Sequence, residues 1–347
     1  MKKIFALMLA LCMVFALCAC GAKTEAPAPA PAETPAEAPA EAPVEEAPKT
    51  DFPQKSIRVL CGFAAGGSND LFTRAMCDAA NKYLPNGQVM YVENITGASG
   101  TIAATEVFSA DPDGYTLMGL GSGVVCAQPL LIDTVYKPGD FTYIMSGAQV
   151  PAGMMVPIDA PYSTVEEWVN WCKENPGEFT IALPGKGTPA HVAVTAVAAA
   201  SGIEINYVFY NGDSEGIPQM LGGFAQGYCS QETSMITYVE SGQAKMLFTT
   251  GDAGYFGGEY DVSKYGYNVQ YYFSNIFMGP PDMPAEVTAI LHDAFKAAID
   301  NGDVDEAFKN LGLIPSYVSG EDLKETILKD YELNKQVLKE AGIEVNE

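Results

Sequence analysis

The sequence predicts an α/β fold of two lobes, each a mostly parallel sheet flanked by helices. Apolar strand patterns alternate with amphipathic helix patterns along most of the chain, an order typical of parallel sheets with helices on both faces. A unit of buried strand, glycine-rich loop and helix occurs twice, starting at Ile57 and again at Phe179. The folded body, from about Asp51 to Glu347, is long for one hydrophobic core, which suits two lobes.

The first unit passes from a strand at residues 57–60 through the pair Gly66-Gly67 into an amphipathic helix. Ser68 or Asn69 is the expected N-cap of this helix. Because glycine has no side chain to keep a ligand from the backbone, the N–H groups at the helix start favour an anion. The lysine and the spacing of a P-loop are missing, which argues against a nucleoside triphosphate. A tight turn without a ligand is the alternative.

The second unit repeats this order at residues 179–202. Its loop contains two glycines, Thr188 is the expected N-cap, and Pro189 occupies the first helical position, where its fixed φ and missing N–H cost nothing. This is a second helix N-terminus open to an anion. His191 falls in the first turn, where it is either a site residue or a surface or packing residue.

The N-terminus predicts export. Residues 1–3 are basic at two positions, residues 4–17 are apolar, and a small-residue segment ends at Cys20. This pattern resembles a bacterial lipoprotein signal, which implies that residues 1–20 are the signal peptide, that cleavage falls before Cys20, and that Cys20 carries the lipid. A plain signal peptide or an uncleaved anchor is the alternative, although the apolar run is short for a membrane span.

Residues 21–50 are rich in alanine, proline and glutamate. Proline at this density excludes helix and sheet and predicts an extended, disordered tether. Such a tether behind a lipidated cysteine would let the body stand away from a membrane.

Composition excludes several function classes. The formal net charge is -24, from 43 acidic and 19 basic residues, so nucleic-acid binding is not expected. The five cysteines of the body are odd in number and lack C-x-x-C spacing, which argues against a disulfide framework or a zinc site. Only two histidines occur, without G-x-S-x-G or H-E-x-x-H, so the chain is not expected to be an enzyme.

Short motifs along the body are specific in combination. They lie at residues 57–59, 63–70 with Arg74, 92–94, 97–100, 112–117, 175–177, 185–188 with His191, 210–212 and 221–223. In this order they resemble the extracytoplasmic solute-binding proteins of tripartite tricarboxylate transporters, the Bug family, over essentially the whole body. One departure is Phe209-Tyr210-Asn211-Gly212, where the family usually has a lysine before the glycine.

The resemblance implies a two-lobed, type II-like periplasmic-binding-protein fold. In this interpretation residues 51–150 and 251–347 form lobe I, and residues 151–250 form lobe II. The strand region at 141–156 is where the chain is expected to cross to lobe II.

The resemblance also implies a small carboxylate held between the two glycine-rich loops. The ligand-binding residues carried over by position are Ala65, Gly66, Gly67, Ser68 and Asp70 from the first unit, and Gly185, Gly187, Thr188 and His191 from the second. Because its charge would repel the ligand, Asp70 is expected to bond loop amides. Ser122 and Tyr210, with Gly123 and Gln149, are further candidates from their places at strand ends. No catalytic residue, metal ligand or cofactor is expected.

The predicted function is therefore an extracytoplasmic, lipid-anchored receptor. It would capture a small carboxylate and deliver it to membrane transporter subunits. The alternative is a carboxylate-sensing receptor for a signalling partner, since nothing in the chain separates the two.

Overall fold

The computed structural model describes residues 50–252, 254–340 and 342–346. The predicted signal peptide, and the predicted tether apart from Thr50, lie outside the described residues. Lys49–Glu347 forms one compact unit. Within the described ranges, no helix combines the length and apolar composition that a membrane crossing requires.

The strands are β1 Ile57–Cys61, β2 Met90–Asn94, β3 Thr116–Gly121, β4 Thr142–Pro157, β5 Thr180–Leu183, β6 Asn206–Phe209, β7 Gly227–Gln231, β8 Ala244–Thr249, β9 Tyr272–Gly279 and β10 Pro315–Ser319. The helices are α1 Ser68–Ala80, α2 Thr101–Phe108, α3 Gly123–Cys126, α4 Gln128–Leu131, α5 Val165–Glu174, α6 Pro189–Ser201, α7 Asp213–Leu221, α8 Ile236–Glu240, α9 Ala285–Asp300, α10 Asp305–Leu311 and α11 Gly320–Glu340. Short 3-10 helices cover Asn81–Tyr83, Pro85–Gly87, Ala98–Gly100, Glu232–Met235, Gly257–Tyr260 and Val262–Tyr265.

A ten-stranded sheet runs through the described residues in the order β2-β1-β3-β9-β4-β7-β5-β6, with β8 and β10 also paired to β4. Strand β4 is 16 residues long and pairs with strands on both sides of the sheet. Through Pro151 it pairs with β9, and from Ala152 it pairs with β7. We call β2-β1-β3-β9 with β10 the first half-sheet, and β7-β5-β6 with β8 the second half-sheet.

The two half-sheets share one local topology. Strand β1 lies between β2 and β3 and is parallel to both, and β5 lies in the same way between β6 and β7. After β1 the chain forms β2 on one side of it and then β3 on the other side, and after β5 it forms β6 and β7 in the same way. In open α/β sheets, ligands bind outside the carboxyl ends of strands at such a reversal. Helices α1 and α6 begin at these two places.

The predicted α/β class with flanking helices is confirmed, but the sheet is mixed rather than mostly parallel. The pairs β3–β9, β9–β4, β4–β7, β4–β8 and β4–β10 are antiparallel. Parallel neighbours need a crossover connection, usually a helix, and the β1–β3 and β5–β7 segments have one at each step. Strand β9 follows β8 of the second half-sheet along the chain. Within the described residues no helical crossover joins it to β3, its neighbour in the sheet, and the two strands are antiparallel.

Aromatic packing fixes helix α1 in the first half-sheet and helix α5 in the second. Phe72 of α1 is fully buried against Phe277 and Phe308, with ring centroids 5.6 and 5.8 Å away. In the second half-sheet, Trp168 packs on Phe179 at 5.5 Å. The N-terminus of α1 is therefore held at the carboxyl end of β1 by the core beneath it.

Some elements have little signal in the local sequence. Helix α7 begins at Asp213, and Gly216 and Pro218 interrupt its apolar pattern. Strand β7 has the sequence Gly-Tyr-Cys-Ser-Gln and strand β10 starts with proline, so neither carries an apolar period.

The five cysteines of the described residues are all buried, and none of them is paired in a disulfide. Burial raises the pKa of the Cys61 and Cys172 thiols to about 12.

Candidate functional site

The first loop, residues 62–67, connects β1 to α1. Gly66 adopts φ +77°, a left-handed conformation that favours glycine. The N-cap of α1 is Gly67, without a side-chain cap, so the expectation of Ser68 or Asn69 at this position was wrong. Ser68 is the first helical residue instead, and its hydroxyl is bonded to the opposite half of the molecule. Ala65 is exposed in the turn.

Asp70 organises the first loop from within. Its carboxylate accepts hydrogen bonds from the Gly66 N–H at 2.9 Å, from Arg74 at 2.9 Å and from the Asn94 amide at 2.8 Å. Burial opposes ionisation, but these three donors outweigh it and hold the pKa of Asp70 below its usual range. The prediction that Asp70 bonds a loop amide is confirmed.

Two contacts join the first loop to the segment after β6. The Ala64 N–H donates to the Asn211 carbonyl at 3.0 Å. The Ser68 N–H donates to Asp213 Oδ2 at 3.1 Å, and the Ser68 hydroxyl donates to the same oxygen. The first loop therefore meets the Tyr-Asn-Gly segment directly across the cleft.

Sequence reasoning did not find Asp213. Its other oxygen accepts from the Tyr228 hydroxyl at 2.7 Å and from the Ser230 hydroxyl at 2.6 Å. Burial, followed by the charge of Asp213, raises the pKa of Tyr228 well above its usual value. The available signal was the spacing of Tyr228 and Ser230, since alternate residues of a strand share a face. It went unused because β7 itself was not predicted.

The second loop, residues 184–187, precedes α6 and is closed by its own side chains. Thr188 is the N-cap as predicted, and its hydroxyl donates to the Gly185 carbonyl at 2.9 Å while accepting from the His191 N–H. The Gly187 N–H donates to His191 Nδ1 at 3.1 Å. These bonds fix the backbone of the loop at the start of α6.

His191 is a packing and loop-fixing residue. It is 3% exposed, and its ring meets Tyr207 and Phe209 edge to face at 5.1 and 5.2 Å. Burial, assisted by the charge of Lys186, lowers the pKa of His191 to about 4. The imidazole is therefore neutral at physiological pH, as its acceptance of the Gly187 N–H requires.

The second loop and the region after β3 are in tight contact. A Cβ on Gly123, at the start of α3, would lie 2.2 Å from Pro189 Cδ. A Cβ on Gly185 would lie 2.7 Å from the Ser99 hydroxyl. The Gln128 side chain donates to the Lys186 carbonyl. Glycine is thus required at two points where the two half-sheets approach each other.

Two cavities adjoin the first loop. The larger, about 310 Å³, is lined by Gly66 and Ser68 on one side and by the start of α7 on the other. The smaller, about 10 Å³, lies between the two loops and is lined by Asn69, Thr188 and Ser230 among others. The Asn69 Oδ1 atom is buried without a hydrogen-bond partner. The N-termini of α1 and α6 therefore converge on the smaller cavity.

The remaining predicted residues lie elsewhere. Ser122 and Gln149 line a separate cavity of about 120 Å³ together with Ser274. The Ser122 N–H donates to the Ser274 carbonyl at 2.8 Å, and the Gln149 amide donates to the Ser274 hydroxyl at 3.2 Å. Tyr210 packs against the hydrophobic cluster around Tyr228. Ser122 and Gln149 thus line a different cavity from the two loops. Tyr210, in contrast, is next to Asn211, whose carbonyl accepts the Ala64 N–H of the first loop.

Replacement of His191 by asparagine should reveal its depressed pKa. The asparagine side chain would keep an acceptor for the Gly187 N–H but would not titrate. Because the folded pKa is about 4 and the ordinary value 6.5, the unfolded state binds more protons between these pH values, and His191 costs stability as the pH falls. We expect the free energy of unfolding of the wild type, relative to His191→Asn, to fall by roughly 3 kcal/mol between pH 7 and pH 4 in urea titrations. A difference that stays constant over this range would contradict the depressed pKa.

The chain matches a known protein family over most of its length. Residues 72–343 match the family described as tripartite tricarboxylate transporter family receptor. A relative from Cupriavidus necator, the UPF0065 protein in the gbd 5' region, is 30% identical over 301 residues, which cover 86% of this chain and 91% of the relative.

Solved structures agree with the fold. The periplasmic binding protein BugD superposes with a TM-score of 0.78 at 24% identity, over 84% of this chain and 99% of BugD. R. palustris Rpa4515, solved with adipate, superposes with a TM-score of 0.80 at 22% identity, over 85% of this chain and 99% of that protein. These likenesses confirm the two-lobed periplasmic-binding-protein fold. The family match and the relative from Cupriavidus necator confirm the resemblance: this chain belongs to the tripartite tricarboxylate transporter receptor family of extracytoplasmic solute-binding proteins.

Proposed function

We propose that this chain captures a small carboxylate between two lobes and delivers it to a tripartite tricarboxylate-type transporter. The observation that carries the proposal is the convergence of two helix N-termini, each behind a glycine-rich loop at a strand-order reversal, on one cavity. Asn69 of α1 and the Thr188 N-cap of α6 line this cavity from opposite sides. Such positions are the usual ligand sites of α/β sheets.

A carboxylate fits this place better than a neutral solute. Each helix N-terminus carries partial positive charge and stabilises an anion by about 0.3–1 kcal/mol, and by more when partly buried. The formal net charge of -24 acts against anion binding at long range, so recognition has to be local. The adipate in the related R. palustris structure supports the same ligand class.

Capture requires the lobes to separate and close. A cavity of about 10 Å³ holds roughly one water molecule, so an organic acid enters only when the two loops move apart. In the proposed division, residues 51–150 with 251–347 form lobe I and residues 151–250 form lobe II. Strand β4 crosses between them. A ligand that contacts both loops favours the closed form by its differential affinity.

The proposal places the receptor outside the cytoplasm on a lipid anchor at Cys20, with residues 21–50 as the tether. The support is the sequence alone: a basic start, an apolar run and a small-residue segment ending in cysteine. Membrane subunits of the transporter are the proposed partners. Loss of acid uptake on deletion of the gene distinguishes this role from that of a sensor.

A panel of acids should raise the melting temperature of the purified full chain in detergent. The panel contains mono-, di- and tricarboxylates, and their neutral amides serve as matched controls. At about 100 times its Kd, a ligand stabilises the folded state by about 2.7 kcal/mol, which for a body of this size corresponds to a shift of roughly 4 °C. Shifts with acids but not with amides are expected. If no acid shifts the transition, carboxylate capture is excluded.

Gly123→Ala should impair capture without removing any polar group. The new Cβ would lie 2.2 Å from Pro189 Cδ and hold α3 away from α6, so we expect the affinity for the best acid to fall about tenfold or more. Gly139→Ala is the matched control, because its Cβ would meet only ordinary contacts at 3.8 Å. Calorimetry on both variants tests this, and equal affinities would show that tight closure at this point is unnecessary.

Cys20→Ser should release the chain from the membrane. The proposed lipid is attached through the cysteine sulfur, so the variant has no attachment point. After expression in a bacterial host and fractionation, wild type is expected in the membrane pellet and the variant in a different fraction or with an unprocessed mass. A variant that sediments and is processed like the wild type would disprove the anchor.

A further inference from the structure

Asp213 places a carboxylate of the chain itself at the N-terminus of α1. The residue begins α7 and is 6% exposed. Its Oδ2 atom accepts both the backbone N–H and the hydroxyl of Ser68, and its Oδ1 atom accepts the hydroxyls of Tyr228 and Ser230. All four donors are oriented toward one anion, which the protein supplies.

The two helix N-termini at the cleft therefore differ in charge. At α1, Asp70 lies in the first turn and binds the Gly66 amide, and Asp213 binds Ser68. At α6, the first turn contains no acidic residue, and Lys186 is exposed in the loop before it. Two carboxylates of the chain therefore already lie at the start of α1, one of them paired with Arg74, whereas no acidic side chain lies in the first turn of α6.

Asp213 lines one of the two cavities at the first loop and is bonded to a residue that lines the other. Its partner Ser230 lines the small cavity with Thr188, and Asp213 itself lines the larger cavity with Ser68. Ser230 thus connects Asp213 to the small cavity that the N-terminus of α6 adjoins.

We infer, resting on the proposed carboxylate capture, that Asp213 is a specificity-determining residue that restricts the cleft to acids with a single carboxylate. The ligand carboxylate lies at the N-terminus of α6. The far end of the ligand, neutral or cationic, faces Asp213. A second carboxylate there competes with Asp213 for Ser68 and is repelled by it.

Ligands of equal length test this on the full chain in detergent. Adipate, 6-hydroxyhexanoate and 6-aminohexanoate differ only in the far group, and succinate, 4-hydroxybutyrate and 4-aminobutyrate repeat the comparison at a shorter length. In calorimetric titrations, wild type is expected to bind the hydroxy or amino acid of the fitting length about tenfold or more tightly than the diacid.

The variant Asp213→Asn keeps the shape of the side chain and removes its negative charge. The ratio of diacid to monoacid affinity is expected to rise about tenfold or more in this variant, a change that general damage to the fold would not produce because it lowers both affinities. Glu215→Gln is the matched control. It removes the same charge from the same helical turn, but Glu215 is exposed and contacts Asn211.

The outcomes separate the two proposals. If no acid binds to any version of the chain, carboxylate capture itself fails. If wild type binds the diacid more tightly than both monoacids, capture stands and the role of Asp213 is overturned. An unchanged affinity ratio in Asp213→Asn, or an equal change in Glu215→Gln, also overturns it.

Discussion

The arrangement of the cleft depends on strand β4, which both half-sheets share. It pairs with β9 through Pro151 and with β7 from Ala152, so one continuous backbone sets the distance between the reversals at β1 and β5. The loop after β1 also touches the segment after β6 through backbone atoms, in the bond from the Ala64 N–H to the Asn211 carbonyl. At two other contacts between the half-sheets a Cβ would collide with a neighbouring side chain, Pro189 for residue 123 and Ser99 for residue 185, which explains the glycines there.

Local sequence patterns predict the parts of the fold and of the candidate site that depend on neighbouring residues. Residues within a few positions of one another predict the two strand–loop–helix units and the start of α6 at Thr188 and Pro189. They also predict that Asp70 bonds an amide of its own loop. The direction of β9 and the existence of β7 do not, because they depend on pairing with distant strands. The bond between Ser68 and Asp213 joins residues 145 positions apart, so no local pattern could indicate it.

His191 shows how a residue type typical of sites can serve the backbone instead. A neutral imidazole accepts the Gly187 N–H, and its ring fills the space between α6 and the side chains of Tyr207 and Phe209. The second loop is thereby shaped by an aromatic base, while the first loop is shaped by two carboxylates. Two units that look alike in sequence thus reach the same cleft with different electrostatic character.

The buried thiols have a practical consequence for testing whether the two half-sheets move. Alkylating reagents attack the thiolate, and burial raises the pKa of Cys61 and Cys172 to about 12, so little thiolate forms at neutral pH. Cys77, Cys126 and Cys229 are buried as well. A cysteine introduced on the surface of each half-sheet will react far faster than these native thiols. Fluorescent dyes can then be attached at two chosen points, and energy transfer between them measures in single molecules whether the distance between the half-sheets changes.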